Sequence, residues 1–312
     1  MTDAPAGPEP AAPRGLLVVG DVVTDVVARH RGPLAPATDT AAEIRTVPGG
    51  AGANAACWAA RSGCADVRVL GRVGSDALDW HERRLRRAGV RPLLIADPVA
   101  PTATVVSLVD AATAERTFLT DSGAVLRISP ADWDPAFLDG VGRLHLSGYL
   151  FFADASRELA RTACRSALEA GVPVSLDPAS AGFLAELGVE RFLAAAGGVQ
   201  ALLPNADEAR LLSGLAEPAG AAAELSRRFP LVAVTLGAVG ALVAVGGEIV
   251  ARVAAPEPDT AAVDSTGAGD AFTGGFLAAL LAGAGPAEAA QAGCRAGALA
   301  VTVVGGRPPE HD

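Results

Sequence analysis

Residues 261–283, AAVDSTGAGDAFTGGFLAALLAG, close a run of β-formers at Asp264-Ser265-Thr266, turn tightly through Gly267-Ala268-Gly269 and enter an almost wholly apolar helix at Asp270. A carboxylate at the mouth of a buried helix has two uses. It can cap the helix, because first-turn N–H groups need acceptors and Asp is a favoured cap. Alternatively, the bare amides of the turn and the positive end of the helix await an anion, and the aspartate beside them awaits a proton.

Four other stretches carry residues of chemical interest. GDVVTD sets Asp25 just after a first strand, and PGGAGANAA places Gly49 and Gly50 ahead of Asn54 where a helix begins. PNADEA puts Asn205 and Glu208 three apart, on one side of a helical first turn. VTLGAVG ends a strand with Thr235 and Gly237 in the loop beyond it. Each also has a plain structural account. Asp25 can be a turn residue, Asn205 a helix cap with Glu208 completing a capping box, and Thr235–Gly237 a hairpin start. GAGANA even fits the dinucleotide fingerprint, but that fingerprint should follow the first buried strand directly, and here Pro48 and a further segment intervene.

The elements that must position these residues follow from the hydrophobic pattern. Nearly continuous apolar runs at 15–21, 67–74, 143–150, 172–178, 200–205 and 231–237 read as strands buried on both faces. Helical segments lie between them around 52–63, 77–89, 154–171, 206–214 and 218–229, and two long helices, about 269–283 and 286–301, close the chain. This alternation predicts an α/β fold with a doubly wound, mostly parallel sheet, whose ligands gather at the carboxyl ends of the strands. Two regions break it, about 23–47 and 103–120, the second a hairpin-like pair about a polar turn. They are expected to form a small β-sheet standing off the main domain as a lid. No internal repeat is visible.

Composition narrows the chemistry. The chain has 312 residues, half of them hydrophobic and 19% charged, with a net charge of −10. No basic stripe is present, so nucleic acid and anionic membrane are excluded as expected partners. All 25 basic residues are arginine. A Walker-type lysine and a lysine Schiff base are therefore ruled out. Cys57, Cys64, Cys164 and Cys294 show no C-x-x-C spacing, which reads as reduced thiols in a cytoplasmic protein rather than a zinc site. The N-terminal MTDAPAGPEPAAPRG is Pro/Ala-rich and acidic, and reads as a disordered tail over 1–14 rather than a signal peptide. The apolar runs near 232–247 and 271–285 are broken by glycines and fall short of a membrane span.

Taken in order, GDVVTD, GGAGAN, LGRVGSD, PNADE, VTLG and DSTGAGD resemble the signatures of the ribokinase family, the PfkB-type carbohydrate kinases, from about residue 16 to 306. DSTGAGD before an apolar helix matches the most specific of these motifs. The resemblance implies transfer of the γ-phosphoryl group of ATP to a hydroxymethyl or similar hydroxyl, by a single ribokinase-like domain over 15–312. Phosphoryl transfer calls mostly for positioning and charge neutralisation. Gly267, Ala268 and Gly269 would supply the anion hole and Asp270 the general base. By the same resemblance Asp25, Gly50 and Asn54 bind acceptor hydroxyls. Asn205 and Glu208 orient Mg²⁺ and phosphates, partly through water. Thr235 and Gly237 line the nucleotide cleft, with Cys294 near the adenine. Asp264 and Thr266 stand where relatives hold a monovalent cation such as K⁺.

Three departures bear on ribose specificity and cation dependence: Val23 replaces an Asn, Ala51 replaces a Lys, and the C-terminal loop reads VVGGRPP with few polar side chains. A spectator phosphate on the acceptor would want Lys or Arg beside the pocket. With Ala51 there and Arg116 on the hairpin as the one alternative, the expected acceptor is an unphosphorylated sugar or sugar acid. A nucleoside kinase would want aromatic rings for a base, and Phe118 is the only aromatic in the lid strands. A catalytically silent sugar-binding regulator would have no need of Asp270. The edges of the lid strands also predict a homodimer joined through the lids.

Overall fold

The computed structural model describes residues 15–110 and 116–309, and the tail expected over 1–14 lies outside them. The first part of the chain comprises β1 (Gly15–Val19), β2 (Val23–His30), β3 (Ala42–Gly49), α1 (Ala51–Arg61), β4 (Val67–Gly74), α2 (Leu78–Arg87) and β5 (Val90–Asp97). Then come β6 (Thr104–Asp110), β7 (Arg116–Asp121), β8 (Val141–Ser147), α3 (Asp154–Glu169), β9 (Val174–Asp177), α4 (Ala181–Leu187), α5 (Val189–Ala195) and β10 (Ala201–Leu202). The last part holds α6 (Ala206–Ser213), α7 (Pro218–Leu225), β11 (Leu231–Thr235), β12 (Gly240–Val245), β13 (Glu248–Ala254), α8 (Ala268–Leu281) and α9 (Pro286–Ala300).

Nine strands form one sheet in the order β13-β12-β11-β10-β9-β8-β1-β4-β5, parallel from β11 to β5 and antiparallel at β12 and β13. Its two faces bury separate cores. Leu17 and Val19 of β1 pack with the residues of α3, α5 and α7, whereas Leu16 and Val18 pack with α1, α8 and α9. That alternation is why β1 reads as an unbroken apolar run. The chain winds from β1 to β4 on one side and lies against β8 on the other, which opens a crevice beyond the carboxyl end of β1.

A second sheet, β3-β2-β6-β7, takes its strands from the two segments that broke the alternation. β2 pairs antiparallel with β3 and parallel with β6, and β6 pairs antiparallel with β7. Some elements are absent from the sequence reading. β5 carries Arg91 and Pro92, which interrupt its apolar run; Pro is tolerated because β5 is an edge. β12 and β13 extend the sheet antiparallel to β11, so Thr235–Gly237 does begin a hairpin-like return. Among the described residues no helix is long and apolar enough to cross a membrane.

Candidate active site

The start of α1 has no capping side chain of its own. Its N-cap is Gly50, at φ 94°, and the missing acceptor comes from thirty residues earlier. The Asp21 carboxylate, just past β1, accepts the N–H groups of Ala51 at 2.7 Å and Gly52 at 3.1 Å, and the Ser147 hydroxyl at 2.7 Å. A Cβ on Gly50 would stand 2.5 Å from the Asp21 carbonyl oxygen, so both conformation and space require glycine there. Asp21 thus clamps β1, β8 and α1 at the crevice, and it lines the main cavity. The sequence reading passed over it in favour of Asp25. Its signal was indirect: a helix whose own cap position is glycine needs a carboxylate from elsewhere.

Asp25 lies on β2 and packs its carboxylate over the bare Cα of Gly49. Burial, helped by the charges of Asp21 and Asp264 and opposed by Arg307, pushes its pKa up to about 7.

The mouth of α8 is stapled from two sides. Gly267 caps it in the left-handed region at φ 74°, with no side-chain cap. Asp264 accepts the Thr266 N–H at 2.8 Å and, from the C-terminal loop, the Gly305 N–H at 3.0 Å. Gly306 packs against both Gly267 and the Asn54 amide, and its carbonyl accepts the Trp58 indole N–H at 2.9 Å. Asp270 stands in the first turn of α8, and its Oδ2 accepts the Asn54 Nδ2–H at 2.8 Å. Burial holds the Asp270 carboxyl well above the ordinary range, and Asp177, Asp21 and Asp25 push the same way, while the bond from Asn54 pulls it down. Asn54 Oδ1 is buried without a hydrogen-bond partner among the described residues.

On the other flank, Asp177 ends β9, accepting the Ala179 N–H at 2.9 Å and the Thr273 hydroxyl at 3.2 Å. Asn205 and Glu208 form a complete capping box on α6: Asn205 Oδ1 accepts the N–H groups of Asp207 and Glu208, and Glu208 Oε2 accepts the Asn205 N–H at 2.8 Å. The plain structural account of this pair is therefore realised. Both residues also face the main cavity, and burial together with the Asp177 charge raises the Glu208 pKa.

These groups surround one cavity of about 950 Å³. Of the residues singled out in the sequence, Asp25, Gly50, Asn205, Glu208, Thr235, Asp264, Thr266, Gly269 and Asp270 line it. Asn54 reaches it through Asp270. Gly267 and Ala268 form the turn behind Gly269, and Gly237 lies at φ 59° in the return from β11 to β12; none of the three is on the cavity wall. Cys294 is not brought to the cavity. It is buried on α9 in the core that includes Phe272, and burial keeps its thiol neutral by raising its pKa. The sequence reading also missed Asp177 and a group of rings on the cavity wall: Phe152 stacks on Phe183 at 5.1 Å, with Tyr149 edge-on to both at 6.0 Å. The side chain of Arg116 lies outside the described part of the structure.

Chemically, the arrangement offers a buried carboxyl group at a helix N-terminus and a wall of further carboxylates. Among the described residues no three His, Cys, Asp or Glu side chains cluster as a metal cage. Asp177 and Glu208, both raised first by burial, Asp177 further by the Asp21 charge and Glu208 by the Asp177 charge, are instead a donor pair that a divalent cation would neutralise while keeping most of its ligands as water or phosphate oxygens.

Known proteins resemble this chain over most of its length. A family model described as pfkB family carbohydrate kinase matches residues 14–312. A fructokinase of Klebsiella pneumoniae is 32% identical over 278 residues, spanning 85% of this chain and 84% of its own length. A ribokinase of Bacillus subtilis is 28% identical over 305 residues, spanning 96% and 98%. Among solved structures, a candidate ribokinase II of E. coli, determined in complex with ATP and Mg²⁺, superposes with a TM-score of 0.81 at 24% identity, covering 94% of each chain.

Proposed function

The chain belongs to the pfkB family of carbohydrate kinases, and from that premise we propose that it moves the γ-phosphoryl group of ATP to a hydroxymethyl oxygen of a small, unphosphorylated sugar or sugar acid. The observation that carries the mechanism is Asp270: a carboxylate in the first turn of α8, oriented by Asn54 and surrounded by further carboxylates. Its raised pKa suits a group that must take a proton near neutral pH. As the acceptor oxygen forms its bond to phosphorus and the bond to ADP breaks, Asp270 takes the acceptor's hydroxyl proton. The amides of Gly269 and Asp270, which have no acceptor within their own helix, neutralise the moving group together with the helix dipole. No lysine is needed.

Asp25 and the unsatisfied Oδ1 of Asn54 would hold acceptor hydroxyls, the first as an acceptor once ionised and the second as an acceptor at all pH. Glu208 and Asp177 would hold Mg²⁺, which when bound draws charge from the β- and γ-phosphates. Asp264 and Thr266, tied to the C-terminal loop through Gly305, would hold a monovalent cation, with backbone carbonyls making up for the poverty of polar side chains in that loop. The four free cysteines support a reducing, cytoplasmic setting.

The Tyr149, Phe152 and Phe183 rings favour one second reading, a nucleoside acceptor with its base against them. One assay separates the two: ATP consumption with a panel of free sugars, their phosphates and nucleosides. Turnover confined to free sugars or sugar acids is expected. A higher kcat/KM for a sugar phosphate or a nucleoside would overturn the acceptor assignment.

A further inference from the structure

A second cavity, of about 230 Å³, lies between the end of β3, the helix α2 and the C-terminal loop. Its wall includes Thr46, Pro48, Arg84, Ala88, Arg307 and Pro309 and, among the described residues, no acidic one. Val47, Val304 and Gly305 are shared walls, lining both this cavity and the main one.

Arg307 is the group without an explanation. Its Nη2 donates to the Gly49 carbonyl at 3.2 Å, but Nε and Nη1 are buried and have no hydrogen-bond partner among the described residues. A guanidinium carries five donors in a rigid fork and stays charged, and proteins rarely bury such a charge with its donors unmet. The neighbours do not meet them. Asp25 attracts the charge but makes no hydrogen bond to it, and Cys57 is a thiol kept neutral by burial. Arg84, on the wall of the same cavity, repels it. Two cations thus line one cavity, one of them with two unmet donors.

We propose that this cavity binds a small tetrahedral oxyanion, with the chemistry of phosphate, at the unmet N–H groups of Arg307 and against Arg84. Planar, charge-assisted pairing of arginine with such an anion is the strongest polar contact the wall offers. The cavity is smaller than a typical pocket for a drug-sized ligand, about 300 Å³ or more, which suits an inorganic ion or the phosphate end of a small metabolite. The site is separate from the phosphoryl-transfer centre and does not depend on the acceptor assignment.

The test is calorimetric titration of inorganic phosphate into the full chain, with a non-hydrolysable ATP analogue and Mg²⁺ saturating so that the γ-phosphoryl position in the main cavity is filled as well. Sodium chloride at matched ionic strength is the control, and fructose 6-phosphate is titrated separately to show whether a free ion or a sugar phosphate is the better ligand. Wild type is expected to bind. Arg84→Ala, a change on a half-buried helix surface, should weaken binding by about tenfold, the order of one charge-assisted pair, and Arg307→Gln should abolish it. Absence of binding in wild type, or equal affinity in wild type and Arg84→Ala, would overturn the assignment. If Arg307→Gln fails to fold, Arg84→Ala still decides.

Discussion

Asn54→Ala is the perturbation whose outcome the geometry fixes most tightly. Asn54 Nδ2 donates to Asp270 Oδ2 at 2.8 Å, and the change removes that donor without touching the base. The bond favours the carboxylate, whereas burial and the charges of Asp177, Asp21 and Asp25 favour the acid. Removing the one opposing contact must make Asp270 harder to ionise. A hydrogen bond to a charged group is worth about 1.5–3 kcal/mol, and about 1.36 kcal/mol is a factor of ten. Water entering the space left by the amide would restore part of this, so the lower figure, about tenfold, is the better expectation. The variant also loses the acceptor contact of Oδ1, but that loss is the same at every pH. Profiles of kcat/KM against pH therefore separate the two effects. On the acid side the variant should lose about ten times more activity than on its alkaline plateau, with the acid limb moved to higher pH. A uniform loss across the profile would show that Asn54 does not tune the base. A limb moved to lower pH would refute the reasoning about Asp270 itself.

Asp270→Asn should lower kcat by on the order of 10²–10⁴ while leaving the ATP dissociation constant nearly unchanged; more than about a tenth of wild-type kcat would remove Asp270 as the base. Glu208→Gln should raise the Mg²⁺ concentration for half-maximal activity, because an amide is a poorer partner for a hard cation; an unchanged Mg²⁺ titration would leave Glu208 as the capping box alone. Asp25, Asp177 and Glu208 all hold their protons more tightly folded than unfolded. Their share of the stability of the ligand-free protein should thus be fully present below the ordinary carboxylate range and be lost as pH rises toward and through about 7, the value for Asp25, while the buried neutral His81 and His145 act the other way. The melting temperature of wild type relative to Asp25→Asn should therefore fall across that window; an unchanged difference between the two would contradict this. Light scattering at micromolar concentration should give a dimer mass, since the edge strands β3 and β7 expose Ile44, Phe118 and Leu119; a monomer mass would dispose of it.

What could be read from the sequence was whatever depends on local order. The parallel sheet was legible because strands covered on both faces cannot alternate, and β1, β8 and β9 do not. The mouth of α8 was legible because turn, carboxylate and apolar helix are contiguous. What escaped was action at a distance. Asp21 caps a helix thirty residues on, Trp58 holds Gly306 across 248 residues, and Arg307 reaches back to Gly49 across 258. No short window of sequence contains any of these three pairs. Cys294 shows the other limit: the family resemblance set it near the adenine, whereas the packing of α9 turns it into the core.

Charge alone argues for the neutral acceptor. Asp21, Asp25, Asp177, Glu208, Asp264 and Asp270 all line the main cavity, against two arginines on its described wall, Arg29 and Arg191. Burial, with their mutual repulsion behind it, already raises the pKa of Asp25, Asp177 and Asp270. Arg29 shares the cavity face of β2 with Asp25 and Val27, four residues along the strand from Asp25. At about 3.3 Å per residue it is roughly 13 Å away, beyond the length of a five- or six-carbon sugar. A second phosphate on a sugar held by Asp25 would come to rest among carboxylates before it could reach Arg29. In the proposed mechanism the phosphoryl group in flight escapes that repulsion by meeting the amides at the mouth of α8, whereas the amides of Ala51 and Gly52 at the start of α1 are already taken by Asp21.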